Sequence, residues 1–156
     1  MTVLDEIYNP RILELAANIP LGRRLAQPDA SASAHSKLCG STVSVDLNME
    51  QDVVTGYGQT VKACLLGQAA SSIMARNIIG ASADELREVG AKMRDMLKQG
   101  GPPPNGKWSD LEVLEPVRDF KARHASTLLV FDAVEDAIAQ IEAQASSHAP
   151  DPAPSR

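Results

Sequence analysis

The hydrophobic period of this chain changes at Cys64, and that change constrains the fold more than any other feature. Before it, Val43, Val45, Leu47 and Met49 alternate with Ser44, Asp46 and Asn48, the period of two expected of a strand with one buried face. Glu50-Gln51-Asp52 supplies a polar turn, and Val53 to Ala63 follows as a second extended stretch in which Gly56 and Gly58 mark a bulge or a break. After Cys64, Leu66, Ala69, Ile73 and Met74 recur at helical spacing as far as Ile79, where Gly80 provides a stop.

The flanking segments extend this pattern. Leu4, Ile7, Ile12, Leu13 and Leu15 predict an N-terminal helix in which Pro10 takes an early position, where a missing N–H matters least. Ile19 to Ser36, rich in Pro, Gly, Ser, Ala and Asp, reads as an extended connection. Ser82-Ala83-Asp84-Glu85 is a capping box opening a helix with Leu86, Val89, Met93 and Met96 on its apolar stripe. Gly100 to Gly106 is a loop, a turn-like segment runs to Pro116, and a last helix places Val130, Val134, Ile138 and Ile141 on one face. Helix, then strands, then helices makes the class α+β, with helices packed on one face of a small antiparallel sheet. Residues 1–145 are expected to form one domain, and 146–156, without an apolar face, a disordered tail.

Composition narrows the function classes. At 156 residues and 44% hydrophobic, the chain can bury one sizeable core, built on Leu, Val, Ile, Met and Ala because aromatic residues make up only 3%. A net charge of -5 with scattered Lys and Arg argues against nucleic-acid binding. Neither an apolar membrane span nor an export leader is apparent, and with two cysteines the expected compartment is the reducing cytoplasm.

The two thiols stand at element junctions. A thiol at a helix start lies near unsatisfied N–H groups and the positive end of the helix dipole, which favours the thiolate that binds metal or attacks sulfur. Cys64 is expected in such a place; Gly40, after Cys39, permits a close approach of backbone to a ligand. Equally, both can be small buried hydrophobes, since 25 residues separate them and no C-x-x-C pair is present. Gly56-Tyr57-Gly58 is not a phosphate loop, because no Lys-Ser/Thr follows it.

The blocks Asp29-Ala-Ser-Ala-Ser-Ala-His-Ser-Lys-Leu-Cys39-Gly-Ser41 and Cys64-Leu-Leu-Gly-Gln-Ala-Ala-Ser-Ser72 resemble those of the U-type iron–sulfur cluster assembly scaffolds: IscU and SufU proteins and the N-terminal domain of NifU. The resemblance runs from about Leu4 to Ile141 and is nearer the SufU branch, through the insertion from Gly100 to Arg118. It implies an N-terminal helix, a three-stranded antiparallel sheet and helices packed against it. It also implies a binding protein, not an enzyme, that receives sulfur from a cysteine desulfurase and passes a cluster to apo iron–sulfur acceptor proteins, as a monomer or homodimer.

Family members carry a nascent iron–sulfur cluster, iron or zinc on three cysteines and an aspartate. Cys39 and Cys64 match the first two cysteines, and Ser41 takes the place of the aspartate. Matching Thr127-Leu128 to the Cys-Ala-Thr-Leu run of SufU proteins puts Ala125 in the third cysteine's position. Aligning His124 with the histidine that precedes the IscU cysteine does the same, whereas pairing Arg123 with the SufU arginine shifts the position to Ser126. Candidate metal ligands are thus Cys39, Cys64 and His124, with His35 a remote fourth; serine hydroxyls are poor ligands for iron or zinc. Lys121 and Arg123 could balance an anionic cluster or persulfide. Leu114-Glu115-Pro116-Val117 lacks the first proline and the lysine of the chaperone-read IscU segment. A cysteine hydrolase using Cys64 and His124 needs those side chains in hydrogen-bond reach and a third group to orient the imidazole.

Because the core is large enough to fold without metal, thermal melts of the protein with and without a chelator should coincide; a chelator-induced collapse would contradict this reading.

Overall fold

The computed structural model describes residues 9–37 and 40–148. Helix α1 (Pro10–Ala17) starts as its proline requires, capped by Asn9, whose side chain accepts from the Ile12 amide at 3.0 Å. Its inward side, Ile12, Leu15 and Ala16, is buried, while Leu13 faces outward. Strands β1 (Ala30–His35), β2 (Thr42–Glu50) and β3 (Val53–Lys62) form an antiparallel sheet in the order β1-β2-β3. Helices α2 (Leu65–Asn77), α3 (Ala83–Gln99) and α4 (His124–His148) follow, and 3₁₀ turns over Gly106–Asp119 and Lys121–Arg123 connect the last two.

Val43, Val45 and Leu47 of β2 are buried together with Leu66, Ile73, Leu86, Met93, Phe131, Val134 and Ile138 of the helices, which cover this inner face of the sheet. β1 lies inside the stretch that composition marks as connection. Its Ala30 and Ala32 are buried and Ser31 and Ser33 are not, so period two is present but carried by alanines. The glycines of β3 do not divide it: one strand runs through both, with a register irregularity at Asn48/Met49. Tyr57 and Gln59 bring polar atoms inside, where Tyr57 donates to Gln59 Oε1 at 2.8 Å and Gln59 Nε2 donates to the Ser71 carbonyl at 3.1 Å. Burial pushes the Tyr57 phenol up, so it stays a neutral donor. The capping box is half made: Ser82 Oγ accepts from the Glu85 amide, but the Glu85 carboxylate accepts from Trp108 Nε1 and pairs with Lys107. The backbone of α4 continues to His148, past the expected boundary at Ser146.

The connection after α1 is strapped to the sheet. Gln59 N donates to the Leu21 carbonyl, and Gly58 gives the strap room, since a Cβ there would lie 2.1 Å from the Arg23 carbonyl oxygen. On the outer face Asp46, only 1% exposed, accepts two hydrogen bonds from Arg24, one from the Leu25 amide and one from Ser31. The Arg24 hydrogen bonds outweigh burial and, with Ser31 and Leu25, hold the carboxyl at about 2 instead of 3.8. Its folded value lies below its unfolded one, so this contribution is complete above about pH 4 and is lost as the pH falls through about 2. Asp46→Asn should therefore cost on the order of 2 kcal/mol at pH 7 and much less near pH 2, by denaturant unfolding at both.

Candidate functional site

Three pieces of backbone meet at one end of the sheet. Register places His35, Thr42 and Lys62 side by side as the last paired residues of β1, β2 and β3, so the β1–β2 loop and the β3–α2 junction leave from the same edge. The loop is closed by the Ser36 amide donating to the Ser41 carbonyl and the Gly40 amide to the Ser36 carbonyl. Gly40 turns it at φ +69, in the left-handed region that favours glycine. Cys39, between these anchors, lies outside the described residues.

Cys64 is the N-cap residue of α2, extended at φ −66 and ψ 171, and its half-buried side chain makes no capping bond to the helix. The sulfur is therefore available to other partners. Its thiol donates to Ser126 Oγ at 3.4 Å, and the Cys64 amide donates to Ser41 Oγ at 3.4 Å. Both serines are buried, at 0% and 3% exposure. Gly67 makes the meeting of α2 and α4 possible: a Cβ there would sit 3.0 Å from the Ser126 carbonyl oxygen and 2.8 Å from the Ala63 Cβ.

Two of the three sequence matches put Ala125 opposite the thiol, yet Ser126 is the residue that meets it. Ala125 is exposed and lines a shallow opening of about 350 Å³ with Lys98, Lys121 and His124. One step along a helix turns a side chain by roughly 100°, so an offset of one residue separates the two surroundings. His124 does begin the last helix, as expected. Its Nε2 lies 3.1 Å from the Val117 carbonyl oxygen and 3.0 Å from that of Arg118. Carbonyl oxygens only accept, so Nε2 carries a hydrogen, and in the neutral imidazole Nδ1 is the nitrogen with a lone pair. The pairing a cysteine hydrolase would need is not made: Cys64 is bonded to Ser126 and His124 to backbone. His35 Nδ1 lies 3.1 Å from Thr42 Oγ1, exposed on the sheet.

The described donors alone do not make up a closed metal site, Cys39 lying outside them. Among the described residues no three His, Cys, Asp or Glu side chains are grouped to hold an ion, and the groups touching Cys64 are hydroxyls. None of the described helices is long and apolar enough to cross a membrane.

No protein-family model matches the sequence. The chain is 59% identical in sequence to a nitrogen-fixing NifU-like protein (N-terminal) from Brucella abortus, whose crystal structure superposes with a TM-score of 0.90 over 92% of this chain and 99% of that one. It is 21% identical to the iron–sulfur cluster assembly scaffold protein IscU of Thermotoga maritima, over 89% of this chain and 97% of the relative. To the zinc-dependent sulfurtransferase SufU of Bacillus subtilis it is 22% identical, over 89% and 94%.

Gly67→Ala should force the first turns of α2 and α4 apart, costing about 1–3 kcal/mol in denaturant unfolding and raising the alkylation rate of Cys64 as its cover loosens.

Proposed function

Because this chain belongs to the U-type iron–sulfur cluster assembly scaffold family, we propose that it accepts sulfur from a cysteine desulfurase on Cys64 and hands it on toward apo iron–sulfur acceptor proteins. The observation that carries this reading is the Cys64 thiol itself, half-buried at the start of α2 and held by a hydroxyl from α4. Cys64 stands at the N-cap of a 13-residue helix, whose positive end is suited to the negative charge of an added sulfur. Lys98 and Lys121 line the separate opening beside His124 and add positive charge to that surface, suited to an acidic partner loop.

Iron, a labile cluster or zinc would be cargo at this site. Cys64 and Cys39 would supply the soft ligands, and His124 a third through Nδ1. The remaining ligands would come from outside, from a second copy of the chain or a small thiol. This is a transient arrangement in which release is easy. A second reading has support from Ser41 and Ser126: with hydroxyls as the side-chain partners of Cys64 among the described residues, the chain docks to the desulfurase, or regulates it, without carrying metal. A desulfurase complex that survives replacement of both cysteines favours that version.

Incubation with a cysteine desulfurase and cysteine, followed by mass analysis of the thiols, should place one added sulfur on Cys64 and none on a Cys64→Ser variant. Sulfur on neither cysteine, or on Cys39 alone, would sink the acceptor reading. Anaerobic reconstitution with iron and sulfide should give partial metal loading that Cys64→Ser abolishes; equal, near-zero loading in both removes the cargo.

A further inference from the structure

The hydroxyl beside Cys64 is placed to do more than fill space. Ser126 Oγ accepts from the Cys64 thiol and donates its own hydrogen to the Arg123 carbonyl at 3.2 Å. That carbonyl has a shorter partner, because Thr127 Oγ1 donates to it at 2.8 Å. The Ser126 hydroxyl can therefore turn away from Arg123 without leaving this partly buried carbonyl unpaired, the usual obstacle to such a rotation. A hydroxyl both accepts and donates, whereas a methyl group here would do neither.

We propose that Ser126 is the positioning residue for sulfur on Cys64, accepting from the resting thiol and turning to donate to the sulfur as it becomes anionic. This rests on the sulfur-acceptor reading. In the transfer, a low-molecular-weight or protein persulfide is attacked at its outer sulfur by Cys64 Sγ, which has given its proton to water. The new bond joins Sγ to the outer sulfur, and the bond between the donor's two sulfurs breaks. The electron pair leaves on the donor's inner sulfur, which takes a proton from water. One disulfane bond replaces another, with no net oxidation. The Ser126 hydroxyl holds Sγ at one rotamer before attack and donates to the persulfide anion after it. Ser41, bonded to the Cys64 amide, fixes the backbone beneath.

The test uses the full chain as wild type, Ser126→Ala and Ser126→Thr, with two readouts. The S–H stretching band that disappears in Cys64→Ser reports the thiol hydrogen bond by infrared spectroscopy. The rate at which glutathione persulfide adds one sulfur to Cys64, by mass, reports the transfer. Ser126→Ala should move the band to higher frequency and slow the transfer by about three- to tenfold, the weight of one ordinary hydrogen bond. Ser126→Thr, which keeps the hydroxyl, should restore both. A band that does not move in Ser126→Ala overturns the proposal whatever the sulfur does. A band that moves while the rate stays at the wild-type value overturns the positioning role and leaves the acceptor reading standing. Failure of the wild-type protein itself to take sulfur on Cys64 defeats the acceptor reading and the proposal with it.

Discussion

The close approach of α2 to α4 at Gly67 is the contact on which the site depends. A single missing side chain lets the first turn of one helix rest on the Ser126 carbonyl of the other, with the Cys64 sulfur and the Ser126 hydroxyl beside it. The same helices bury larger residues such as Leu66, Ile73 and Leu128 in the core. At Gly67 the two come close enough that even a methyl group would crowd the Ser126 carbonyl. A sulfur held there is near its partners without needing a charged ligand to draw it in.

The opposite face of the sheet is organised by charge. Asp46 is nearly fully buried under the strap, and its four hydrogen bonds replace the water it has lost. Arg24 remains half in solvent, so this pair avoids burying both ions, the arrangement in which desolvation most often cancels the attraction. The strap in turn covers β3, whose edge would otherwise present unpaired backbone groups. Stability on the outer face is thus separate from the sulfur at the sheet's end.

The helices were legible in the sequence because bulky apolar residues repeat at their period: Leu86, Val89, Met93 and Met96 are all buried on α3, as are Val130, Val134 and Ile138 on α4. β2 was legible for the same reason. β1 was hidden because its inward residues are alanines, small enough for α4 to lie directly on them, and alternating Ala-Ser does not stand out from a connection. Its place in the sheet came from family resemblance alone. At the site, the junction position of Cys64 followed from the change of period, whereas the choice between Ala125 and Ser126 did not. That choice depends on the rotation of the first turn of α4; Trp108, Leu111, Leu114 and Val117 repeat at the 3₁₀ period of three, but the repeat stops before Lys121–Arg123, which buries nothing and leaves that rotation unmarked. The engagement of His124 Nε2 was equally invisible, since its partners are carbonyls of residues whose side chains carry no signal.

Replacing a ligand position with serine changes what such a site can hold without disturbing what holds the site. A thiolate is a soft, charged donor to iron or zinc; a serine hydroxyl is neutral, hard and reversible in direction. What a hydroxyl lacks as a metal ligand it offers in hydrogen bonding: it can accept from a thiol and donate to a thiolate or a persulfide. The core does not register the exchange, because the buried Val, Leu, Ile and Met side chains lie beneath the site and belong to the sheet and helices, not to its ligands. A fold stabilised in this way tolerates altered donors at its tip, and its chemistry follows from which atoms surround Cys64.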